Sequence, residues 1–234
     1  MASLHSRFTR ILPTGLLLVA LSSCAAISND GGVLSGGAVS DSDWKKTVQS
    51  IKKDVVKIQV TGCDFTGSGS GFFAQNWLIT NRHVLEDASS AYFKIAGVKH
   101  VLKGWYLSKT DDLALAPIQG SDVAEIKLGS ADPIPGDLVA AAGFPWGGPQ
   151  VSNFGRITGQ IEEKTESSLS FVLETNLDIH PGNSGGPLVN VHGQVVGVMF
   201  AIDTLSNATL AIPLSRLKAN IERAHSEFSP KSSC

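Results

Sequence analysis

Pro181-Gly182-Asn183-Ser184-Gly185-Gly186-Pro187-Leu188 sets one serine among three glycines. A serine hydroxyl is a poor nucleophile until a base takes its proton. The carbonyl it attacks becomes an oxyanion, which needs preplaced donors. Glycines beside the serine let the main chain approach a substrate closely and turn N–H groups inward. Gly182 and Ser184 are the residues placed to offer such N–H groups. Runs of this kind also form ordinary turns, so the segment means catalysis only where a base and a carboxylate accompany it.

Six histidines compete for the role of base: His5, His83, His100, His180, His192 and His225. His5 falls in an N-terminal targeting segment, His192 in a hairpin turn and His225 on a terminal helix. His100 lies in an alternating strand, as a surface or filler residue. His180 precedes Ser184 by four residues and can touch the site without being its base. His83 follows the apolar strand Leu78-Ile79-Thr80 in a short polar turn, which suits an imidazole projected into a cleft. A lone histidine there also suits a structural role. The base in turn needs a buried carboxylate to fix its tautomer. Asp112 heads the apolar run Leu113-Ala114-Leu115-Ala116 and fits that place. Its neighbour Asp111 is the rival, read as solvated.

The elements that must hold these residues are short and numerous. Val56, Ile58 and Val60 alternate with Lys57 and Gln59, a period of two. Further strands are predicted over 70–74, 77–80, 91–95, 98–107, 112–116, 137–142, 150–160, 170–175, 187–191, 194–201 and 208–212. Turn signals such as Gln75-Asn76, Ala96-Gly97 and His192-Gly193 separate them. So many short strands predict an all-β barrel or sandwich. Two helices flank them. One has Ser42 or Asp43 as its candidate cap, with Trp44, Val48 and Ile51 on one face; the other runs from about Ser215 to His225, with Leu217, Ile221 and Ala224 apolar.

Thr80-Asn81-Arg82-His83-Val84, Asp112-Leu113-Ala114-Leu115 and Gly182-Asn183-Ser184-Gly185-Gly186-Pro187-Leu188 occur in the order His, Asp, Ser. That is the chymotrypsin-type order. Over about residues 54–218 the chain resembles the bacterial trypsin-like serine proteases near the HtrA/DegP group. Gly69-Ser70-Gly71-Phe72, Ala142-Gly143-Phe144-Pro145 and Ala211-Ile212-Pro213 add to the likeness. The resemblance implies two perpendicular six-stranded antiparallel β-barrels, with the site in the cleft between them. It implies Ser184 as nucleophile, His83 as base and then acid, Asp112 as orienting carboxylate, and the Gly182 and Ser184 N–H groups as oxyanion hole. Asp178, six residues before Ser184, stands where trypsins carry the acidic residue at the base of the primary pocket. That implies a substrate-binding role and a preference for Lys or Arg, although related bacterial enzymes with an apolar residue there cut after small apolar residues. Two departures are expected: no PDZ domain after the last helix, and no cysteine beside the histidine as in secreted animal trypsins.

Residues 1–23 read as a signal peptide, with Arg7 and Arg10 before the apolar stretch Ile11 to Leu21. Leu21-Ser22-Ser23-Cys24 resembles the bacterial lipobox, which implies a lipid on Cys24. An ordinary signal peptide cut after Ala26 is the alternative. Residues 24–43 then form the lipidated cysteine and a flexible tether, 44–226 the protease domain and 227–234 a tail. Cys63 and Cys234 remain, to pair in an oxidising compartment or stay free. A net charge of −2 without a basic block argues against nucleic acid as the main partner. The cysteines and histidines show no metal-ligand spacing, and no cofactor is implied. The expected partners are a protein or peptide substrate and a membrane reached through the Cys24 lipid. The expected place is the bacterial cell envelope; if Gram-negative, it is the outer membrane, facing the periplasm or the cell surface, because Ala25 follows Cys24. The function expected is a serine endopeptidase working through an acyl-enzyme. Its rivals are an esterase with the same triad and a binding or regulatory lipoprotein whose site is closed or inactive.

Overall fold

Phe72 and Phe73 are both fully buried, yet they belong to different cores. Successive strand residues point to opposite faces. Where both faces are covered, the sequence runs apolar without alternation. In the computed structural model, residues 41–118, 123–164, 169–203, 206 and 208–228 are described.

β1 (Val55–Thr61), β2 (Thr66–Ala74), β3 (Trp77–Thr80), β4 (Ser90–Ile95), β5 (Val98–Val101), β6 (Tyr106–Leu107) and β7 (Ala114–Pro117) form one antiparallel sheet. Its order is β5-β4-β1-β2-β3-β7-β6. The single strand expected over 98–107 is therefore two, and they lie at opposite edges. Buried Leu102 and Trp105 draw the intervening chain over the interior, so the sheet curls where a ladder would have continued. The seven strands thus make a curled half-barrel with two free edges.

β8 (Leu138–Gly143), β9 (Val151–Lys164), β10 (Leu169–Thr175), β11 (Pro187–Val189), β12 (Val195–Ile202) and β13 (Thr209–Pro213) close into a second barrel, in the order β10-β13-β12-β11-β8-β9. Ile58, Phe73, Leu78 and Ala116 fill the first interior. Val139, Ile157, Leu173 and Met199 fill the second. Between the two lies a third cluster built from the outward faces of the same strands, including Phe72, Ile79, Leu115, Ala140 and Val198.

Two helices complete that middle layer. α1 (Asp41–Ile51) buries Trp44, Val48 and Ile51, the face its spacing predicts. The one-turn α2 (Arg82–Leu85) follows β3. The C-terminal α3 (Leu214–Glu227) buries Leu217, Ile221 and Ala224. Cys63, in the turn after β1, is disulfide-bonded. Cys234, its expected partner, lies outside the described residues, as do Cys24 and the signal segment. Among the described residues no helix is long and apolar enough to cross a membrane.

Candidate active site

β3 and β7 pair with Thr80 opposite Ala114, which sets residues 81–83 against residue 112. Asn81 Nδ2 donates to the Asp112 carbonyl at 2.7 Å and ties the two chain segments together. The Asp112 carboxylate then meets His83 twice. Its Oδ1 accepts the His83 main-chain N–H at 2.9 Å, and its Oδ2 lies 2.6 Å from Nδ1. A proton held on Nδ1 by this bond leaves Nε2 with its lone pair, the form needed by a general base. Burial opposes charge on His83, but the hydrogen bond to Asp112 and the charges of Asp112 and Glu86 outweigh it. The pKa is therefore raised above the ordinary histidine value. The imidazole side chain remains 44% exposed, open to a substrate.

Ser184 is carried between β10 and β11 and is fastened to the first barrel through Ser70 of β2. Ser70 is fully buried. Its N–H donates to the Ser184 carbonyl at 2.8 Å and its hydroxyl to the Gly182 carbonyl at 2.7 Å. The same hydroxyl accepts the Phe144 N–H at 2.9 Å, while Thr80 Oγ1 donates to the Ser70 carbonyl at 2.7 Å. Gly185, at φ +85°, packs so tightly that a Cβ there would collide with the Ser70 carbonyl and Thr80 Oγ1 and press on the Asn81 N–H. The Ser184 segment thus sits directly on the strand end that leads into His83.

Gly182 has φ +100°, a conformation that favours glycine. The Pro181 carbonyl accepts the Trp146 N–H at 2.6 Å. In a planar trans peptide the C=O and N–H point in opposite directions, so the Gly182 N–H is turned away from the 144–147 loop. Neither this N–H nor that of Ser184 donates to another group among the described residues. Two unspent donors beside a serine are what an oxyanion hole requires. Ser184 Oγ makes no hydrogen bond among the described residues. Bonds of this kind are often long in unliganded sites and tighten with substrate.

Other positions depart from expectation. Asp111, expected to be solvated, is buried and ion-paired with Arg216 of α3. Its short contacts to α3 leave it no solvent-facing role. Asp178, expected at the base of a pocket, has a side chain 88% exposed and lies 3.9 Å from His180 Nε2. It borders an open cavity of about 620 Å³ that Glu174, Ile202 and Thr209 also line. A carboxylate so exposed is solvated, and it lies at the cavity's rim, not at its base. His180 stacks on Trp146, which is itself 72% exposed. Ser70 and the Trp146 N–H escaped the sequence reading. The small-residue run Gly69-Ser70-Gly71 was the available signal for Ser70, since it marks close approach of another chain segment.

A family model described as a trypsin-like peptidase domain matches residues 67–198, which include His83, Asp112 and Ser184. A probable periplasmic serine endoprotease, DegP-like, of Pseudomonas fluorescens is 35% identical over 150 residues, covering 62% of this chain and 31% of its own length. Its Chlamydia trachomatis counterpart is 34% identical over 153 residues, covering 62% and 30%. The chain thus spans about a third of the length of these curated relatives. Among solved structures, the active form of the Rv3671c protease from M. tuberculosis superposes with a TM-score of 0.73 at 18% identity, over 89% of this chain and 97% of the other. The serine endoprotease from Yersinia pestis gives 0.67 at 25% identity, over 79% and 67%.

Proposed function

Because the chain belongs to the trypsin-like peptidase domain family, we propose that it is a serine endopeptidase acting through His83, Asp112 and Ser184. The observation that carries this reading is the double hold of Asp112 on His83, at 2.9 Å and 2.6 Å. His83 Nε2 takes the Ser184 proton as Oγ attacks the peptide carbonyl. The Gly182 and Ser184 N–H groups receive the oxyanion. His83 returns the proton to the leaving amine, and an acyl-enzyme remains on Ser184. His83 then deprotonates a water that attacks the acyl carbonyl, and it returns that proton to Ser184 Oγ as the acid leaves. Asp112 stays ionised throughout and steadies the imidazolium.

The same reading places the enzyme in the bacterial cell envelope, held by a lipid on Cys24 through the tether before α1. The DegP-like relatives are named periplasmic, which supports an exported chain. Several acyl chains anchor stably, since each buried methylene contributes about 0.8 kcal/mol. Cys234 is the proposed partner of Cys63, which would tie the tail behind α3 to the β1–β2 turn.

The test is labelling of residues 25–234 by a fluorophosphonate probe, with Ser184→Ala beside the wild type. Labelling of the wild type alone is expected. A folded wild type that takes no label would overturn the reading in favour of a binding protein on a protease fold.

A further inference from the structure

Asp111 stands next to the proposed triad acid, and its side chain is only 5% exposed. A buried carboxylate is costly unless it is paired and hydrogen-bonded. Asp111 has both. It is ion-paired with Arg216 Nε, accepts from Asn220 Nδ2 at 2.7 Å, and accepts from Thr110 Oγ1 at 2.6 Å. Ser108 Oγ accepts the main-chain N–H of Asp111 at 3.0 Å. The contacts continue in register along α3. Arg223 Nη1 donates to Thr110 Oγ1 at 2.9 Å, and Glu227 Oε2 meets Lys109 Nζ at 3.0 Å.

Arg216, Asn220, Arg223 and Glu227 follow one another at i, i+4, i+7 and i+11, a single stripe of the helix. The adjacent stripe of Leu217, Ile221 and Ala224 is sunk in the layer between the barrels. α3 is thereby fixed to the core on one side and grips residues 109–111 on the other. Arg82 Nη1 closes the circuit, donating at 2.6 Å to the Ser108 carbonyl from the turn that carries His83.

We propose that α3 positions the triad acid, with Asp111, Arg216 and Asn220 as positioning residues. They hold the 108–112 loop where the Asp112 carboxylate can meet both His83 donors. The inference rests on the triad reading above. Buried ion pairs are weak evidence for stability, but their directional bonds constrain geometry. Geometry is what this site needs, because a misplacement of about 1 Å can cost a hundredfold in rate.

The test compares the double variant Asp111→Asn/Arg216→Met, the milder Arg223→Ala and the wild type. Two readouts are used: kcat, KM and the acid limb of kcat/KM, and the proton resonance and titration of His83 by NMR in a Ser184→Ala background. In the double variant kcat is expected to fall about tenfold while KM changes less than about twofold. The acid limb moves to lower pH, because Asp112 pulls less on His83 while Glu86 and the burial remain. Arg223→Ala shifts both in the same direction by less, and Arg216→Lys on the wild-type background keeps part of the rate. Folded variants with wild-type kcat, acid limb and His83 titration would overturn the proposal and leave α3 a structural support. If the double variant does not fold, an unchanged His83 titration in Arg223→Ala overturns it alone. If the wild type hydrolyses nothing, a His83 shift in the variants still upholds the positioning while the protease reading falls.

Discussion

His83 must be neutral to accept a proton, and Asp112 both raises its proton affinity and moves the pH at which it is free. Its pKa is raised in the folded protein, so kcat/KM should fall on the acid side through a limb above about pH 6.5. Asp112→Asn removes the attraction and the charge-assisted bond while burial stays, so the limb should drop below that of the wild type. The wrong tautomer should also cost about 10⁴-fold in kcat. A pH–rate profile checks both, and an unmoved limb would detach Asp112 from the base. The sign for stability is the reverse. A pKa raised on folding contributes stability that is complete below the unfolded value and is lost as pH rises through the folded one. The pair therefore supports the fold most where the site is least active.

Among the elements, β2 ties the proposed nucleophile to the first barrel, and its Ser70 hydroxyl is central to that tie. Ser70→Ala removes the donor to the Gly182 carbonyl and the acceptor for the Phe144 N–H. Loss of kcat by about 10²-fold is expected with little change in KM, as for a displaced oxyanion donor. Stability should fall by about 1–3 kcal/mol for the buried groups left unpaired. Equal losses of rate and stability with a rise in KM would instead point to general loosening. This residue also marks how far the sequence could be read. Ser184, His83 and Asp112 could be picked out as the candidate triad because each sits in a local motif whose residue types suit that chemistry. β1 was legible from its period of two, and the later strands as short segments between turn signals. Ser70 was visible only as part of a small-residue run, because its partners lie 112 and 74 residues away. Asp111 was misread for the same reason: its partners Arg216 and Asn220 lie 105 and 109 residues further on. The break of 98–107 into β5 and β6 depended on Leu102 and Trp105 turning inward, which apolar character alone does not distinguish from a continuing strand.

At the scale of the whole molecule, the site exists only where two barrels face each other, so their mutual position matters as much as either interior. The middle layer provides it. Phe72, Ile79 and Leu115 come from the first barrel, Ala140, Val189 and Val198 from the second, and α1 and α3 cover the ends. Such a shared core makes the barrels one cooperative unit, since neither can unfold without exposing the outward face of the other. Ile51, on α1 and 4% exposed, tests this far from the cleft. Ile51→Ala should cost about 2–4 kcal/mol through lost burial and the cavity left behind. If the barrels are coupled, the loss appears as one calorimetric transition at lower temperature, with calorimetric and van't Hoff enthalpies equal. Hydrolytic activity should then follow the same curve, intact until the whole molecule melts. Two separate transitions, or activity that fades before the heat absorption begins, would mean that the barrels move independently and that the alignment of Ser184 with His83 has another source.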